Sequence, residues 1–349
     1  MTPEGSSRRR PPRSTGDPAL DEQLTAFLGE LDPIDQRIAL ETLGTILHLS
    51  REGVSRLDRK IANTALKEMR HAFNVFQPLR HRRKVTIFGS ARTPKGHAEY
   101  ETAKQLAVRM AEQGWMVVTG AGPGIMEAGH EGATSEHSIG VNILLPFEAK
   151  PNPVIADDPK LINFKYFFTR KLMFIKESDA FVLLPGGFGT MDETFELLTL
   201  IQTGKSDLHP IVMLDAQGGT YWPAWERYIR EALLQRGMID PDDLSLFRIT
   251  DDVESAVTEI EQFYRVYHST RWVGDQLVVR LTKEPSEELL AELSEEFSSV
   301  LIGPLQRVEA SKGEIRDDDV PTLPRIALRY DQTRVGVLRK LVDALNDRV

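Results

Sequence analysis

Apolar and polar positions alternate in three successive rhythms along the chain. From Ala19 to about Phe76 the apolar residues recur at helical spacing: Leu24, Phe27 and Leu28, then Ile38, Leu40, Leu43, Ile46 and Leu47, then Ile61, Ala65 and Met69. This predicts a helical extension over about 18–80, packed against the rest of the chain. From Lys84 short β-branched runs alternate with amphipathic segments. Lys84–Gly89 reads as a strand ending in a glycine turn, Ala98–Gln113 as a helix, Trp115–Val118 and Ile139–Leu144 as strands. A helix over about Phe164–Lys176, a strand Asp179–Leu184, a strand Pro210–Leu214 and a helix Trp222–Gln235 continue the series. Alternation of this kind predicts an α/β domain over 84–265, a doubly wound parallel sheet whose ligands lie beyond the carboxyl ends of the strands. Over 266–349 the rhythm changes again. Strands at Gln276–Leu281, Val300–Ile302 and Arg325–Tyr330, with helices at Ser286–Phe297 and Val335–Leu345, predict a small α+β region interrupted by the charged stretch Ser311–Asp319.

Composition narrows the function. The net charge of -9 over 349 residues argues against broad nucleic-acid binding, which needs a basic face, but not against one small phosphate in a local pocket. Residues 1–17, with Arg8-Arg9-Arg10, read as a disordered basic arm. The chain has no cysteine, so disulfides, thiolate nucleophiles and zinc–thiolate sites are excluded, and no apolar run is long enough to span a bilayer. A cytoplasmic protein with no membrane partner is the expectation.

The stretch with the most chemistry in it is Pro185-Gly186-Gly187-Phe188-Gly189-Thr190-Met191-Asp192-Glu193. It lies between a buried strand and a predicted helix. Glycines there let the backbone approach a phosphate, and the free N–H groups of a helix start point at it. Thr190-x-x-Glu193 also fits a capping box, a purely structural role. A second glycine loop, Gly120-Ala121-Gly122-Pro123-Gly124, opens another helix; it lacks the third glycine of the dinucleotide fingerprint, because Ile125 stands there. Gly204-Lys205-Ser206 is not a Walker A loop, since Thr199 occupies the first glycine position. His130-Glu131 is not followed by a histidine at 134, and surface positions account for His130 and His137.

If the central loop holds a phosphate, Glu193, one turn into the helix, reaches the sugar of a bound nucleotide. Cleavage of an N-glycosidic bond passes through an oxocarbenium-like state that a carboxylate stabilises. An arginine can hold the carboxylate, the ribose hydroxyls or the phosphate. Arg170 and Lys171, on the preceding helix, suit that role, though from spacing alone a solvated basic helix face is the favoured explanation.

The stretch Pro185–Glu193 resembles the PGGxGTxxE signature of the Lonely Guy phosphoribohydrolases, often misnamed lysine decarboxylases. The resemblance extends to Arg170-Lys171, to Ser178–Phe181 and to the loop Gly120–Met126, and spans about Val85 to Ile260. Glu127 stands where family members commonly have glycine. The resemblance implies a Rossmann-like fold, a homodimer or higher homo-oligomer, and hydrolysis of nucleoside 5′-monophosphates without metal or cofactor. It makes Arg170 and Glu193 the catalytic pair. It gives the phosphate to Gly187, Gly189 and Thr190 with Gly186 shaping the turn, and secondary contacts to Lys171 and Thr199. Glu148 is a candidate for ribose or base, and Ser90 for the pocket wall. Both extensions depart from the short cytokinin-activating members, so AMP or a related nucleotide stands beside a cytokinin riboside monophosphate as substrate. A nucleotide sensor or scaffold that uses the same loop without turnover is the alternative.

Overall fold

The structure, a computed structural model, describes residues 14–145 and 150–349. The chain falls into two units, Met1–Glu68 and Met69–Val349. In the first, α1 (Pro18–Phe27) and α2 (Pro33–Arg51) each start with proline at the first helical position behind an aspartate cap. Asp17 accepts from the N–H groups of Ala19 and Leu20, and Asp32 from Ile34. These caps satisfy donors that a helix leaves open. Helix α3 (Arg56–Phe76) spans the division, and its last turns bring Ala72 and Phe76 into the core of the second unit. Of the arm over 1–17, residues 1–13 lie outside the described residues.

The second unit is built on a seven-stranded, all-parallel sheet. Its strands are β1 (Lys84–Phe88), β2 (Met116–Thr119), β3 (Ser138–Ile143), β4 (Leu161–Phe164), β5 (Ala180–Leu183), β6 (Ile211–Leu214) and β7 (Arg248–Thr250). The order is β4-β3-β2-β1-β5-β6-β7. Side chains alternate between two cores, as a doubly covered sheet requires. Val85, Ile87, Ala180, Val182 and Leu184 face α4 (Ala98–Glu112), α5 (Ile125–His137) and α9 (Val253–Phe263). Phe88, Phe181 and Leu183 face the core shared with α6 (Phe167–Glu177), α7 (Phe188–Gln202) and α8 (Tyr221–Tyr228), which a π-helical turn, Ile229–Leu234, continues. The chain runs outward from β1 on one side and returns to place β5 on the other. The strand order therefore reverses between β1 and β5, which pair from Val85↔Ala180 to Phe88↔Leu183. A crevice beyond these two strand ends is where such sheets bind ligands.

The C-terminal elements share that second core. A four-stranded antiparallel sheet, β10-β11-β9-β8, is formed by β8 (Tyr267–Val273), β9 (Gln276–Leu281), β10 (Gln306–Arg307) and β11 (Arg325–Leu328), with α10 (Glu287–Glu296) and α12 (Val335–Arg348). Two expectations change here. Val300–Ile302 forms no strand; Leu301 makes a single bridge to Tyr330. The charged stretch Ser311–Asp319 is not a mere interruption. It folds as α11 (Lys312–Arg316) behind a capping box of Ser311 and Glu314, and buries Glu314 against Arg280 at 2.8 Å and Arg325 at 3.4 Å.

Candidate active site

Three loops meet beyond the carboxyl ends of β1, β2 and β5. Leu184 N–H donates to Phe88 O (2.8 Å), Ser90 N–H to Pro185 O (3.1 Å) and Ile125 N–H to Ser90 O (3.0 Å). Ser90 thus ties the β5 loop on one side and the β2 loop on the other. Gly124 is obligatory at this junction: its φ is +68°, and a side chain there would collide with the Ser90 carbonyl.

Helix α7 starts at Phe188 with Gly187 as its N-cap, and no side chain caps it. Thr190 is therefore already inside the first turn, where its carbonyl accepts from the Thr194 hydroxyl at 2.7 Å. The capping-box alternative for Thr190 and Glu193 does not hold, because the N-cap is Gly187, three residues before Thr190. Met191 makes the first intrahelical bond, to Gly187 O at 3.1 Å. By helix geometry the N–H groups of Phe188, Gly189 and Thr190 point out of the helix end. The glycines of this loop differ in kind. A Cβ at Gly186 would overlap the Thr190 hydroxyl, whereas Cβ atoms at Gly187 and Gly189 would meet nothing within 4 Å.

Glu193 sits on the same helix and is 8% exposed. Burial raises its pKa to about 7, against the opposing pull of Lys171 and Arg170. Arg170, on α6, donates its Nε to Val141 O (2.9 Å) and lies over the Phe174 ring at 5.1 Å. Its Nη2 occupies the space above Gly120, where any side chain would collide with it. The second glycine loop therefore seats the arginine. Lys171 is tied at 2.9 Å to both Asp192 and Glu196 on α7, so part of its charge is already engaged.

Of the other expected residues, Ser90 lies at the junction, its hydroxyl accepting from Arg92 N–H (3.1 Å). Thr199 is exposed on α7, about 16 Å from the helix start by the rise per residue, and is not brought to the strand ends. Glu148 lies outside the described residues. His130 is not a surface residue: it is fully buried, and burial lowers its pKa to about 4 against hydrogen bonds to Ile139 and Asn152. Its Nε2 lies 3.0 Å from the Thr119 hydroxyl and 3.1 Å from Ile139 O. Its Nδ1 lies 3.1 Å from the Asn152 amide nitrogen, which also donates to Ala121 O (3.1 Å) and Gly122 O (3.2 Å). This network holds Ala121 at φ +62°, a conformation rare outside glycine. The glycine loop and a histidine one turn into its helix were the available signal.

The arrangement unites an uncapped helix end, a buried carboxylate and a held arginine. Comparisons with known proteins give the family. The sequence profile described as "Possible lysine decarboxylase" matches residues 123–260. The cytokinin riboside 5′-monophosphate phosphoribohydrolase of Mycobacterium tuberculosis is 30% identical over 163 residues, covering 46% of this chain and 85% of the relative. The chain belongs to the Lonely Guy family. Another family member, cytokinin riboside 5′-monophosphate phosphoribohydrolase LOG3 of Arabidopsis thaliana, is 27% identical over 52% of this chain and 83% of its own. Among solved structures, the Moco carrier protein of Chlamydomonas reinhardtii aligns with 52% of this chain and 97% of its own, at 21% identity and a TM-score of 0.36. Nothing functional can be drawn from a likeness at that level. Glu127, at the start of α5, pairs its carboxylate with Lys95 at 2.8 Å and fastens the β1 loop to that helix.

Proposed function

We propose that the protein hydrolyses the N-glycosidic bond of a nucleoside 5′-monophosphate, giving free base and ribose 5-phosphate. The observation that carries this is the sharing of one helix by two chemistries. The N-terminus of α7 faces open space at Gly187 and Gly189, and Glu193 lies buried one turn behind it. A 5′-phosphate on the helix end, held by N–H groups and the helix dipole, sets the ribose alongside Glu193. The electrons of the C1′–N bond leave with the base, which takes up a proton, and the hydroxyl of water bonds to C1′. Ionised Glu193 stabilises the positive charge that grows on the sugar and orients the water, and Arg170 holds the ribose hydroxyls or the carboxylate. Lys171 supports the charge balance of the site.

The relatives' names favour a cytokinin riboside monophosphate, and AMP presents the same phosphate, ribose and purine. A homodimer fits the exposed apolar residues beside the site, with Phe188 97% exposed and Phe167, Phe168 and Leu172 about half exposed. The test is release of base from a panel of nucleoside 5′-monophosphates. AMP should be cleaved and adenosine should not, because the phosphate supplies binding energy used at the sugar. Equal turnover of the two would overturn the phosphate assignment. Binding without any turnover would leave a nucleotide sensor in place of an enzyme.

A further inference from the structure

The phosphate loop is braced from outside by a residue no part of its signature contains. Tyr221 is the first residue of α8, the helix after β6. Its hydroxyl donates to the Gly186 carbonyl at 2.6 Å. In a trans peptide the carbonyl and the following N–H point in opposite directions, and this chain has no cis peptide among its described residues. Whatever fixes the Gly186 carbonyl therefore aims the Gly187 N–H.

The strand order tells where it aims. β6 pairs with β5 on the side away from β1. Tyr221 belongs to the βα unit that follows β6, so the Gly186 carbonyl faces that unit and the Gly187 N–H, on the far side of the same peptide, faces away from it. The preceding carbonyl, that of Pro185, is drawn the other way by the Ser90 N–H at 3.1 Å. Successive peptides are thus pinned from opposite sides, one by backbone and one by a side chain.

We infer that Tyr221 is a positioning residue that orients the Gly187 N–H toward a bound phosphate, so that recognition of the 5′-phosphate depends on the neighbouring βα unit. Tyr221 is itself held in place. The next residue, Trp222, donates its N–H to Asp215 Oδ2 at 3.0 Å, with the two aromatic rings edge to face at 5.0 Å. Asp215 is buried at the end of β6, and Gly219 allows the tight return, since a Cβ there would lie 2.6 Å from Asp215 Cβ. Burial raises the phenol pKa, so the group remains a donor throughout the neutral range.

The inference rests on the proposed phosphate site, and its test separates the two. Tyr221→Phe keeps the ring and removes only the hydroxyl. Measured by calorimetry, its Kd for ribose 5-phosphate should rise roughly tenfold, the scale of one lost hydrogen bond. The KM for AMP should rise with it, kcat should stay within about twofold, and inhibition by adenosine, which lacks the phosphate, should not change. Wild-type affinity for ribose 5-phosphate in a folded Tyr221→Phe protein would overturn the assignment. So would an equal loss toward adenosine, which would mean general damage to the pocket. If the wild type binds ribose 5-phosphate but releases no base from any nucleotide, the hydrolase reading fails, while the calorimetric comparison still decides the role of Tyr221.

Discussion

The two glycine loops look alike in sequence and differ in what fills them. At the β2 loop the missing side chains are replaced by protein: the Arg170 guanidinium lies over Gly120, the Met126 side chain against Gly122 and the Ser90 carbonyl against Gly124. At the β5 loop only Gly186 is crowded by the protein itself, while Gly187 and Gly189 border open space. A glycine pressed by its own chain is a packing requirement. A glycine with nothing near it, at an uncapped helix end, leaves room for something that is not part of the chain. On the function proposed above, the first loop places the arginine and the second binds the anion.

The most severe way to break that assignment is Gly120→Ala. The added methyl displaces the Arg170 guanidinium, and turnover should fall by about two orders of magnitude while ribose 5-phosphate still binds. A variant with unchanged kcat would show that Arg170 has no catalytic task in this position. The reverse pattern is expected for Gly187→Ala and Gly189→Ala. Their affinity for ribose 5-phosphate should drop roughly tenfold, with no loss of melting temperature, because the new methyl meets no protein atom and Ala restricts the unfolded chain. Marked destabilisation by either would erase the distinction between the loops.

Glu193 sharpens the comparison through pH. Its pKa, about 7 in the fold, lies above that of an ordinary carboxylate. Below about pH 4 the group is protonated whether folded or not, and it exerts no penalty. As pH rises the unfolded chain ionises first, so the folded state loses stability until pH exceeds about 7. Glu193→Gln should therefore leave acid stability unchanged and raise stability at pH 8 by on the order of 1–3 kcal/mol, read by denaturant titration at the two pH values. Its turnover should fall at least about 100-fold. In the wild type kcat/KM should climb through about pH 7, since the ionised carboxylate is the working form. A flat profile over pH 6–8 would remove Glu193 from the rate-limiting chemistry.

The strands of the parallel sheet that are buried on both faces are legible in the sequence because they read as short apolar runs; β1, β2, β3, β5 and β6 are of this kind. The strands that sequence reasoning misses are edges or part-exposed. β4 and β7 lie at the two ends of the sheet, and β8, at the edge of the second sheet, carries His268, Ser269, Thr270 and Arg271 in succession. Nothing in their pattern separates them from loops; pairing with a neighbour creates them. In the site, the signature Pro185–Glu193 is visible as a unit, because glycines followed by helix formers are a local signal. The seating of Arg170 on Gly120 is not, since it joins residues from different βα units. His130 escapes sequence reasoning for the same reason: its partners Asn152 and Ile139 come to it only through the fold.

Ser90 has one more consequence. Because its N–H and carbonyl tie loops on both sides, neither loop can reorganise alone without breaking a backbone bond at the sheet's mouth. The amides that would grip a phosphate are then ordered before the ligand arrives, and association costs little loss of chain freedom. In exchange experiments the amides of Ser90, Leu184 and Ile125 should become exposed together, at one common opening free energy, as members of a single cooperative unit.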